Sequence, residues 1–346
     1  MSRCLILANP KAGRLRAALA RLSRIAGKPT DALSAPDSLR FLHEAAERAG
    51  LNASVRIIPP RDRLPDLVAA ARWEGYDTIV AVGGDSTISA VAQGLVGTSL
   101  RLGVLPMGTD NNIACALGLP FDLDAALRVI AEGEERCIEV GRIGGEYFLE
   151  GAGVGLFADA ICAFGPAEPR KHEIFRVLKV MCPLCLTPRA RRLLLTLDGV
   201  AQEEEALMVT AANIPFLGPN FELAPGAVLD DGLLDVVIVG ALTWWELLRF
   251  GTALLRGRHL DLPKVRRVHA RTVEIRRRFR AHHPLPVHAD DHIAGYTPTR
   301  LEIVPAALRV LVPRAAPPSM SGSAVEERGA ASPETAGVRS GAYGRT

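Results

Sequence analysis

The chain has 346 residues, of which 48% are hydrophobic and 23% are charged, and its formal net charge is +3. A single hydrophobic core rarely grows beyond about 250–300 residues, so this length predicts two domains. The small net charge gives no argument for a nucleic-acid partner, and the sequence holds no run of eighteen apolar residues that would predict a transmembrane helix.

Short apolar strands alternate with helices in the first third of the sequence. This β-α-β order predicts a parallel sheet between layers of helices. The predicted strands are 4–8, 55–58, 78–82 and 102–105, and the predicted helices are 15–25, 38–49, 64–73, 88–95, 114–117 and one that begins near 121.

Three turns follow strands of this predicted sheet, at 9–13, 83–87 and 106–111. Parallel sheets bind ligands beyond the carboxyl ends of their strands, so we expect the three turns to converge there. The backbone N–H groups of a glycine turn favour phosphate oxygens, and Lys11 adds positive charge. A carboxylate beside phosphates would repel them unless a cation lay between, so Asp85 predicts an Mg²⁺-nucleotide site. An ordinary strand-to-helix turn is the alternative for 83–87 taken alone, and a solvated surface turn is the alternative for 9–13.

The pattern changes from about residue 136, where short apolar runs are separated by Gly, Pro and Asp turns. Regular short strands of this kind predict an antiparallel sandwich or barrel. We therefore predict an α/β domain over 1–134 that is rejoined by about 305–314, a β-sandwich domain over 135–304, and a disordered tail over 316–346.

Two helical insertions interrupt the second domain, at 172–185 and 243–256. The second insertion has an apolar face beside basic residues, which predicts either a helix that covers the sheet or one that rests on an anionic membrane. We favour the covering helix. The apolar residues are Trp244, Leu247, Leu248 and Leu255, and the basic ones are Arg249, Arg256, Arg258 and His259.

Cys182 and Cys185 have the Cys-x-x-Cys spacing, but no second pair has zinc-site spacing. We interpret them as core residues rather than a redox or metal site. This cysteine usage predicts a reducing cytoplasm. Contact at the inner face of the membrane is the alternative that the basic helix leaves open.

Four segments carry a resemblance to a known family. They are Asn-Pro-Lys-Ala-Gly at 9–13, Gly-Gly-Asp-Ser-Thr at 83–87, Pro-Met-Gly-Thr-Asp-Asn-Asn at 106–112 and Ala-Pro-Gly-Ala-Val-Leu-Asp-Asp-Gly-Leu at 224–233. In this order they resemble the Asn-Pro-x-x-Gly, Gly-Gly-Asp-Gly-Thr, Pro-x-Gly-Thr-x-Asn-(Asp/Asn) and Ala-x-x-Asp-Asp-Gly-x-Leu motifs of the diacylglycerol kinase catalytic-domain family. This family comprises bacterial lipid kinases and is related to the sphingosine and ceramide kinases. The resemblance covers roughly residues 3–314.

The resemblance implies ATP-dependent phosphorylation of a lipid hydroxyl, in a cleft between the α/β domain and the β-sandwich. Diacylglycerol, phosphatidylglycerol and a sphingoid base all remain open as substrates. A structural Mg²⁺ would be held by the Asp231 carboxylate and by the carbonyl groups of Val228 and Leu233. The implied nucleotide-binding residues are Asn9, Lys11, Gly83, Gly84, Asp85, Ser86, Thr87, Ile88, Ser89, Gly108, Thr109 and Asn111.

The chain departs from the family pattern at two positions. Ser86 replaces the third glycine of the loop, which is tolerated if φ there is negative or at a small cost in strain. His292 stands where the family has its general-base glutamate. We hypothesise that His292 takes the hydroxyl proton and that Asp290 orients its ring, since residues two apart on a strand face the same side. Asp85 would hold the Mg²⁺-phosphates, and a solvated turn residue is the alternative for His292.

Two further functions remain open on sequence alone. One is a nucleotide-binding or lipid-binding homologue that has lost turnover. The other is a soluble-substrate kinase of the NAD kinase type, which shares the Gly-Gly-Asp loop but has an Asn-Glu pair as its second motif. Edge strands of the predicted sandwich also offer a surface for a homodimer.

Overall fold

The computed structural model describes residues 3–25, 35–164, 188–278 and 283–314. The predicted helix at 172–185, with Cys182 and Cys185, and the predicted disordered tail at 316–346 lie outside the described residues. The chain up to Arg314 packs as one unit, so the boundaries between the two predicted domains stay predictions.

Four strands near the N-terminus form the parallel part of the main sheet, in the order β2-β1-β3-β4. Every residue of β3 is buried, as expected for a central parallel strand that is covered on both faces. This part, with its helices, is called the parallel half below. Its strands are β1 (Arg3–Ala8), β2 (Asn52–Ile57), β3 (Thr78–Gly83) and β4 (Arg101–Pro106).

Helices cover both faces of the parallel sheet, because alternate residues of its strands point to opposite sides. Leu5 and Leu7 pack with Ile88 of α4 on one face, and Ile6 packs with Leu15 of α1 on the other. The predicted parallel sheet between helices is therefore confirmed. The helices are α1 (Gly13–Ile25), α2 (Ala35–Arg48), α3 (Leu64–Trp73), α4 (Asp85–Leu95), α5 (Asn112–Ala116) and α6 (Leu123–Glu132), with a 3₁₀ turn at Arg61–Arg63.

Antiparallel strands dominate from β5 onward and are called the antiparallel half. One core lies between its strands, and a second lies under the helix α8 (Trp244–Leu254).

Among the described residues, no helix is long and apolar enough to cross a membrane. The remaining elements of this half are β5 (Glu134–Ile143), β6 (Glu146–Phe148), β7 (Gly151–Gly155), α7 (Leu156–Phe164), β8 (Arg191–Leu197), β9 (Val200–Ala212), β10 (Phe216–Leu217), β11 (Phe221–Glu222), β12 (Leu234–Gly240), a 3₁₀ turn (His259–Asp261), β13 (Val265–Ala270), β14 (Thr272–Arg277), β15 (Pro286–Ala289) and β16 (His292–Tyr296).

The last described strand, β17 (Thr299–Val312), belongs to both halves. Its first part pairs antiparallel with β14, where Leu301 lies opposite Val273. Its last part pairs parallel with β4, where Val310 lies opposite Leu102. One strand thus fixes the edge of the parallel half against the antiparallel half.

Strand β7 was not predicted, because three of its five residues are glycine and show no apolar pattern. These glycines let β7 lie close to β9, since a Cβ atom at Gly153 would collide with the carbonyl oxygen of Val209. Strands β13, β15 and β16 were not predicted either. β15 and β16 have only four and five residues, too few for a clear period, and β13 carries two arginines and a histidine among its six residues.

Helix α8 covers the sheet, as favoured from the sequence. Leu247, Phe250 and Leu254 are buried in the core beneath it. The sequence grouped Leu247 with Trp244, Leu248 and Leu255 on one apolar face. That grouping was wrong, because those three residues are exposed. The interpretation of His259 as a surface cation was also wrong. Its ring is fully buried, and its Nε2–H donates to the carbonyl oxygen of Leu223 at 2.8 Å.

Candidate active site

The three predicted turns meet in one cleft of about 540 Å³ at the carboxyl ends of β1, β3 and β4. Main-chain hydrogen bonds link the turns, because Asn9 N–H donates to the Val82 carbonyl and Met107 N–H donates to the Gly83 carbonyl. The predicted convergence is confirmed. Eight of the predicted nucleotide-binding residues line the cleft: Asn9, Lys11, Gly84, Asp85, Ser86, Thr87, Gly108 and Thr109.

The other four predicted nucleotide-binding residues do not line the cleft but support its loops. Ile88 is fully buried in the core, and the Ser89 hydroxyl donates to Asp290. Gly83 ends β3 over the side chain of Thr87. Asn111 has a φ of 56° and accepts a hydrogen bond from Gly108 N–H at 2.9 Å.

Two glycines bring the second and third turns into backbone contact. A Cβ atom at Gly108 would collide with the Cα atom of Gly84 and lie 3.0 Å from its nitrogen. The glycines are therefore required by the close approach of the two loops. Ser86 lies in the first turn of α4 and has no positive φ, so this departure from the family loop costs no strain.

Asp85 is the first residue of α4, and its Oδ1 accepts a hydrogen bond from Ile113 N–H at 2.9 Å. Burial raises the pKa of this carboxyl, and the negative charge of Asp110 adds to the effect. Asn9 fixes the neighbouring turn, since its Nδ2 donates to the Thr87 hydroxyl and its Oδ1 accepts from Lys11 N–H. These contacts hold a rigid, amide-lined wall on the side of the parallel half.

Asp290 does not orient His292, so the predicted pair was wrong. Asp290 lies in the turn between β15 and β16 with a φ of 48°, not on an extended strand. The nitrogens of His292 instead face other carboxylates, with Nε2 2.8 Å from Glu146 and Nδ1 3.5 Å from Asp291. His292 is not among the residues that line the cleft, whereas Asp290 and Asp291 are.

Sequence reasoning missed several residues that line the cleft. Glu150 and Asn112 are both buried, and Asn112 Nδ2 donates to Glu150 Oε2 at 3.0 Å. Asp110, Asp291 and the turn at Gly218 line the cleft as well. The only sequence signal for Glu150 is a single charge between the apolar run 147–149 and a glycine-rich segment.

The segment predicted to hold a structural Mg²⁺ forms a turn before β12. Asp231 is solvent-exposed there, and its Oδ1 accepts from Leu233 N–H at 3.0 Å. Glu139 lies beside it, accepts from Gly232 N–H at 2.8 Å, and has a buried Oε1 without a partner in the described part of the chain. Burial, followed by the negative charge of Asp231, raises the pKa of Glu139 to about 7.

A hard cation fits this turn, because the atoms available as metal ligands are all oxygens. One of them, Glu139 Oε1, is buried without a hydrogen bond. Carboxylate and carbonyl oxygens are the ligands that Mg²⁺ prefers. No cluster of three or more His, Cys, Asp or Glu side chains with metal-binding spacing occurs among the described residues. A site here would therefore depend on main-chain carbonyl groups such as those of Val228 and Leu233.

Residues 3–143 match the diacylglycerol kinase catalytic domain, and residues 184–312 match the YegS C-terminal NAD kinase beta sandwich-like domain. A diacylglycerol kinase of Mycobacterium tuberculosis is 31% identical over 261 residues, which cover 72% of this chain and 81% of the relative. A diacylglycerol kinase of Bacillus subtilis is 29% identical over 220 residues, which cover 62% of this chain and 72% of the relative.

The fold agrees with that of a diacylglycerol kinase from Bacillus anthracis known from a crystal structure. The TM-score is 0.62 at 19% sequence identity, over 90% of this chain and 97% of that one. Both the parallel sheet with a cleft at its carboxyl ends and the antiparallel half thus have counterparts among known proteins. The chain belongs to the diacylglycerol kinase catalytic-domain family, and at the level of that family it is a lipid kinase.

Proposed function

We propose that the chain is an Mg²⁺-ATP-dependent kinase that phosphorylates a hydroxyl of diacylglycerol or a related lipid. The observation that carries this proposal is the convergence of the turns at 9–13, 83–87 and 106–111 on one cleft. The opposite wall of the cleft comes from the antiparallel half, through Glu150, Gly218 and the turn at Asp290. The cleft can therefore place a nucleotide from one half against an alcohol from the other.

The parallel half binds the nucleotide in this proposal. Phosphoryl transfer depends mainly on positioning and charge stabilisation, and the amides at the start of α4 are suited to the phosphate oxygens. Asn9 keeps its turn in place through Thr87, and the charge of Lys11 balances phosphate charge. The packing of Gly84 against Gly108 keeps side chains out of the space where the phosphates would lie.

Magnesium would neutralise phosphate charge in the cleft, and a second Mg²⁺ would stiffen the turn before β12. In the cleft, Asp85, the first residue of α4, would hold the Mg²⁺-phosphates. At the second place, Asp231 would hold a structural Mg²⁺ together with the carbonyl groups of Val228 and Leu233. The unpartnered oxygen of Glu139 supports this second assignment.

The role of His292 as general base stays a prediction, and its contacts weigh against it. The interaction with Asp291, followed by the hydrogen bond with Glu146, raises the pKa of His292. A raised pKa keeps the ring protonated over a wider pH range, and a protonated imidazole cannot accept a proton. His292 is better placed to fix Asp291, which lines the cleft.

A substrate panel tests the proposed function. Purified protein is incubated with γ-labelled ATP and Mg²⁺ in mixed micelles that contain diacylglycerol, phosphatidylglycerol or sphingosine, and with NAD in solution. Labelled phosphatidic acid from diacylglycerol is the expected product. The matched inactive control is Asp85→Asn, and Asp122→Asn, which changes only the N-cap of α6, serves as the active control.

The outcomes of this panel separate the alternatives. Label on NAD alone would identify a soluble-substrate kinase. Binding of Mg²⁺-ATP in calorimetry without label on any lipid would identify a homologue that has lost turnover. If calorimetry detected no binding of Mg²⁺-ATP at all, the nucleotide site itself would be refuted.

We also propose that α8 makes peripheral contact with an anionic membrane, where a lipid substrate resides. Trp244 and Trp245 stack on each other with ring centroids 3.7 Å apart and are 42% and 65% exposed. Leu248 and Leu255 extend the exposed apolar stripe along the helix, at 49% and 74% exposure. The basic residues Arg249 and Arg256 are exposed beside it, as is Arg258 beyond the helix end, where it pairs with Asp261.

Tryptophan substitution tests this contact, because the third tryptophan of the chain provides a matched control. Trp73 is 90% exposed on α3, in the other half of the fold. Cosedimentation with phosphatidylglycerol vesicles should fall at least tenfold for the double variant Trp244→Ser and Trp245→Ser, and stay unchanged for Trp73→Ser. Equal binding by both variants would exclude α8 as the contact. The cytoplasmic location and a homodimer through edge strands stay predictions.

A further inference from the structure

Glu150 lies between β6 and β7, where the antiparallel half meets the cleft. It is only 6% exposed, yet it lines the cleft. Its main chain is held on both sides, since its N–H donates to Asp290 at 2.8 Å and its carbonyl accepts from Asn213 N–H at 2.8 Å. The side chain is therefore the part of Glu150 that faces the cleft.

Asn112 fixes the direction of the Glu150 carboxylate. Its Nδ2 donates both to Glu150 Oε2, at 3.0 Å, and to the Gly218 carbonyl, at 2.7 Å. Both partners accept only, so the amide orientation is set by them. Its Oδ1 is buried and has no partner within the described ranges. A buried acceptor in the wall of the cleft is satisfied when a ligand brings a donor.

The other carboxylates of the cleft are engaged elsewhere. Asp290 accepts from the Ser89 hydroxyl and from main-chain N–H groups at 149–151, at distances of 2.7–3.2 Å. Asp291 contacts His292 and Arg61, which lower its pKa against the effect of burial. Asp85 and Asp110 lie on the second and third turns, on the opposite wall of the cleft. Glu150 thus combines a position on the substrate wall with a carboxylate held by a single side-chain amide.

We propose that the Glu150 carboxylate accepts the proton of the substrate hydroxyl. This inference rests on the proposed kinase function. As the substrate oxygen bonds to the γ-phosphorus, the bond from that phosphorus to the bridging oxygen breaks, and ADP leaves with its electron pair. The hydroxyl proton passes to a Glu150 carboxylate oxygen and is later lost to water.

The surroundings of Glu150 suit this role. Burial and the negative charges of Asp290, Asp85 and Asp291 raise its pKa well above the ordinary value, while the Asn112 amide opposes the rise. A general base is most effective when its pKa lies near the working pH. Neither His292 nor the saturated Asp290 offers a free acceptor on this wall.

Glu150→Gln is the direct test, because glutamine keeps an oxygen for Asn112 but cannot take the proton. The expected loss in kcat is about 10²- to 10⁴-fold, the usual contribution of a general base. Calorimetric affinity for Mg²⁺-ATP should stay within about twofold of wild type, and the Tm should not fall, because a buried charge has been removed. Glu132→Gln, on the exposed end of α6, is the matched control.

The pH profile separates a chemical role from a structural one. In the wild type, kcat should rise with pH as Glu150 loses its proton, and this limb should be absent from Glu150→Gln. A Glu150→Gln variant that keeps more than a tenth of the wild-type kcat would overturn the inference. So would a His292→Gln variant that loses this rise of kcat with pH while Glu150→Gln keeps it. Absence of lipid phosphorylation by the wild type would refute the proposed function instead.

Discussion

The Ser89 hydroxyl donates a 2.7 Å hydrogen bond to the carboxylate of Asp290, 201 residues further along the chain. Ser89 lies on α4, directly behind the phosphate-binding turn, and Asp290 lies in the turn between β15 and β16. The same carboxylate accepts the main-chain N–H groups of Leu149, Glu150 and Gly151. One buried side chain therefore ties α4, behind the turn at 83–87, to residues 149–151 on the opposite wall of the cleft.

Replacing Asp290 by alanine should destabilise the fold more than removing any one of its donors. Asp290→Ala leaves one hydroxyl and three amides without an acceptor, and each buried group left unpaired costs about 1–3 kcal/mol. Ser89→Ala removes a single neutral donor, so it should cost about 1 kcal/mol. Urea unfolding of both variants measures the difference. Equal losses would show that Asp290 is not the centre of this network.

The contact between Gly84 and Gly108 predicts a specific defect in nucleotide binding. A methyl group at Gly108 meets the backbone of Gly84, so the two loops must separate. Gly108→Ala should lower the free energy of unfolding by about 1–3 kcal/mol, as for overpacked positions, and weaken Mg²⁺-ATP binding more than tenfold.

Gly251→Ala is the matched control, because a Cβ atom there meets nothing within 4 Å. It lies inside α8, where alanine should stabilise the helix by about 1 kcal/mol without changing nucleotide affinity. Calorimetry and thermal unfolding check both variants. Wild-type affinity in Gly108→Ala would contradict the close approach of the loops.

The sequence predicted the wall of the cleft that the three turns form, because the signals for these turns are local. Each of the turns at 9–13, 83–87 and 106–111 follows directly on its strand, and the parallel order alone brings strand ends together. The opposite wall, which includes Glu150 and the turn at Asp290, depends on contacts between distant segments. Asn112, on α5, meets Glu150, 38 residues further along the chain, and the glycine-rich β7 that follows Glu150 shows no period.

The geometry at Asp290 was beyond sequence reasoning for a similar reason. Residues 290 and 292 share a side only on an extended strand, whereas Asp290 adopts a positive φ in a turn. His259 illustrates the limit for burial. A basic residue after an amphipathic helix suggests a surface cation, and only the position of the Leu223 carbonyl shows that the ring is an internal donor.

The Mg²⁺ site proposed in the turn before β12 predicts that Mg²⁺ stabilises the folded protein in the absence of nucleotide. A ligand that binds only the folded state at 100 times its Kd adds about 2.7 kcal/mol, so the Tm should rise with added MgCl₂. Asp231→Ala should abolish this rise. Asp230→Ala is the matched control, because its carboxylate pairs with Arg136 at the surface. A rise that survives in Asp231→Ala would place the cation elsewhere.

The Glu146 and His292 pair predicts a coupling that depends on pH. The ordinary pKa of histidine is 6.5, and the interaction with Asp291 and the hydrogen bond with Glu146 raise it in the fold against the opposing effects of burial and Arg61. A raised pKa adds stability that is fully present below the unfolded value and is lost as pH rises through the folded value. The pair should therefore stabilise the protein at pH 6 and contribute little at pH 9.

A double-mutant cycle with Glu146→Gln and His292→Gln measures this coupling in urea at both pH values. The Glu146 side chain is half exposed, so the coupling at pH 6 should not exceed about 1 kcal/mol. Equal coupling at pH 6 and pH 9 would show that the ring does not change its charge between them. A third measurement at pH 7.5 tests the base assignment directly. Coupling at that pH would mean that His292 is protonated there, and a protonated ring cannot take the hydroxyl proton that we assign to Glu150.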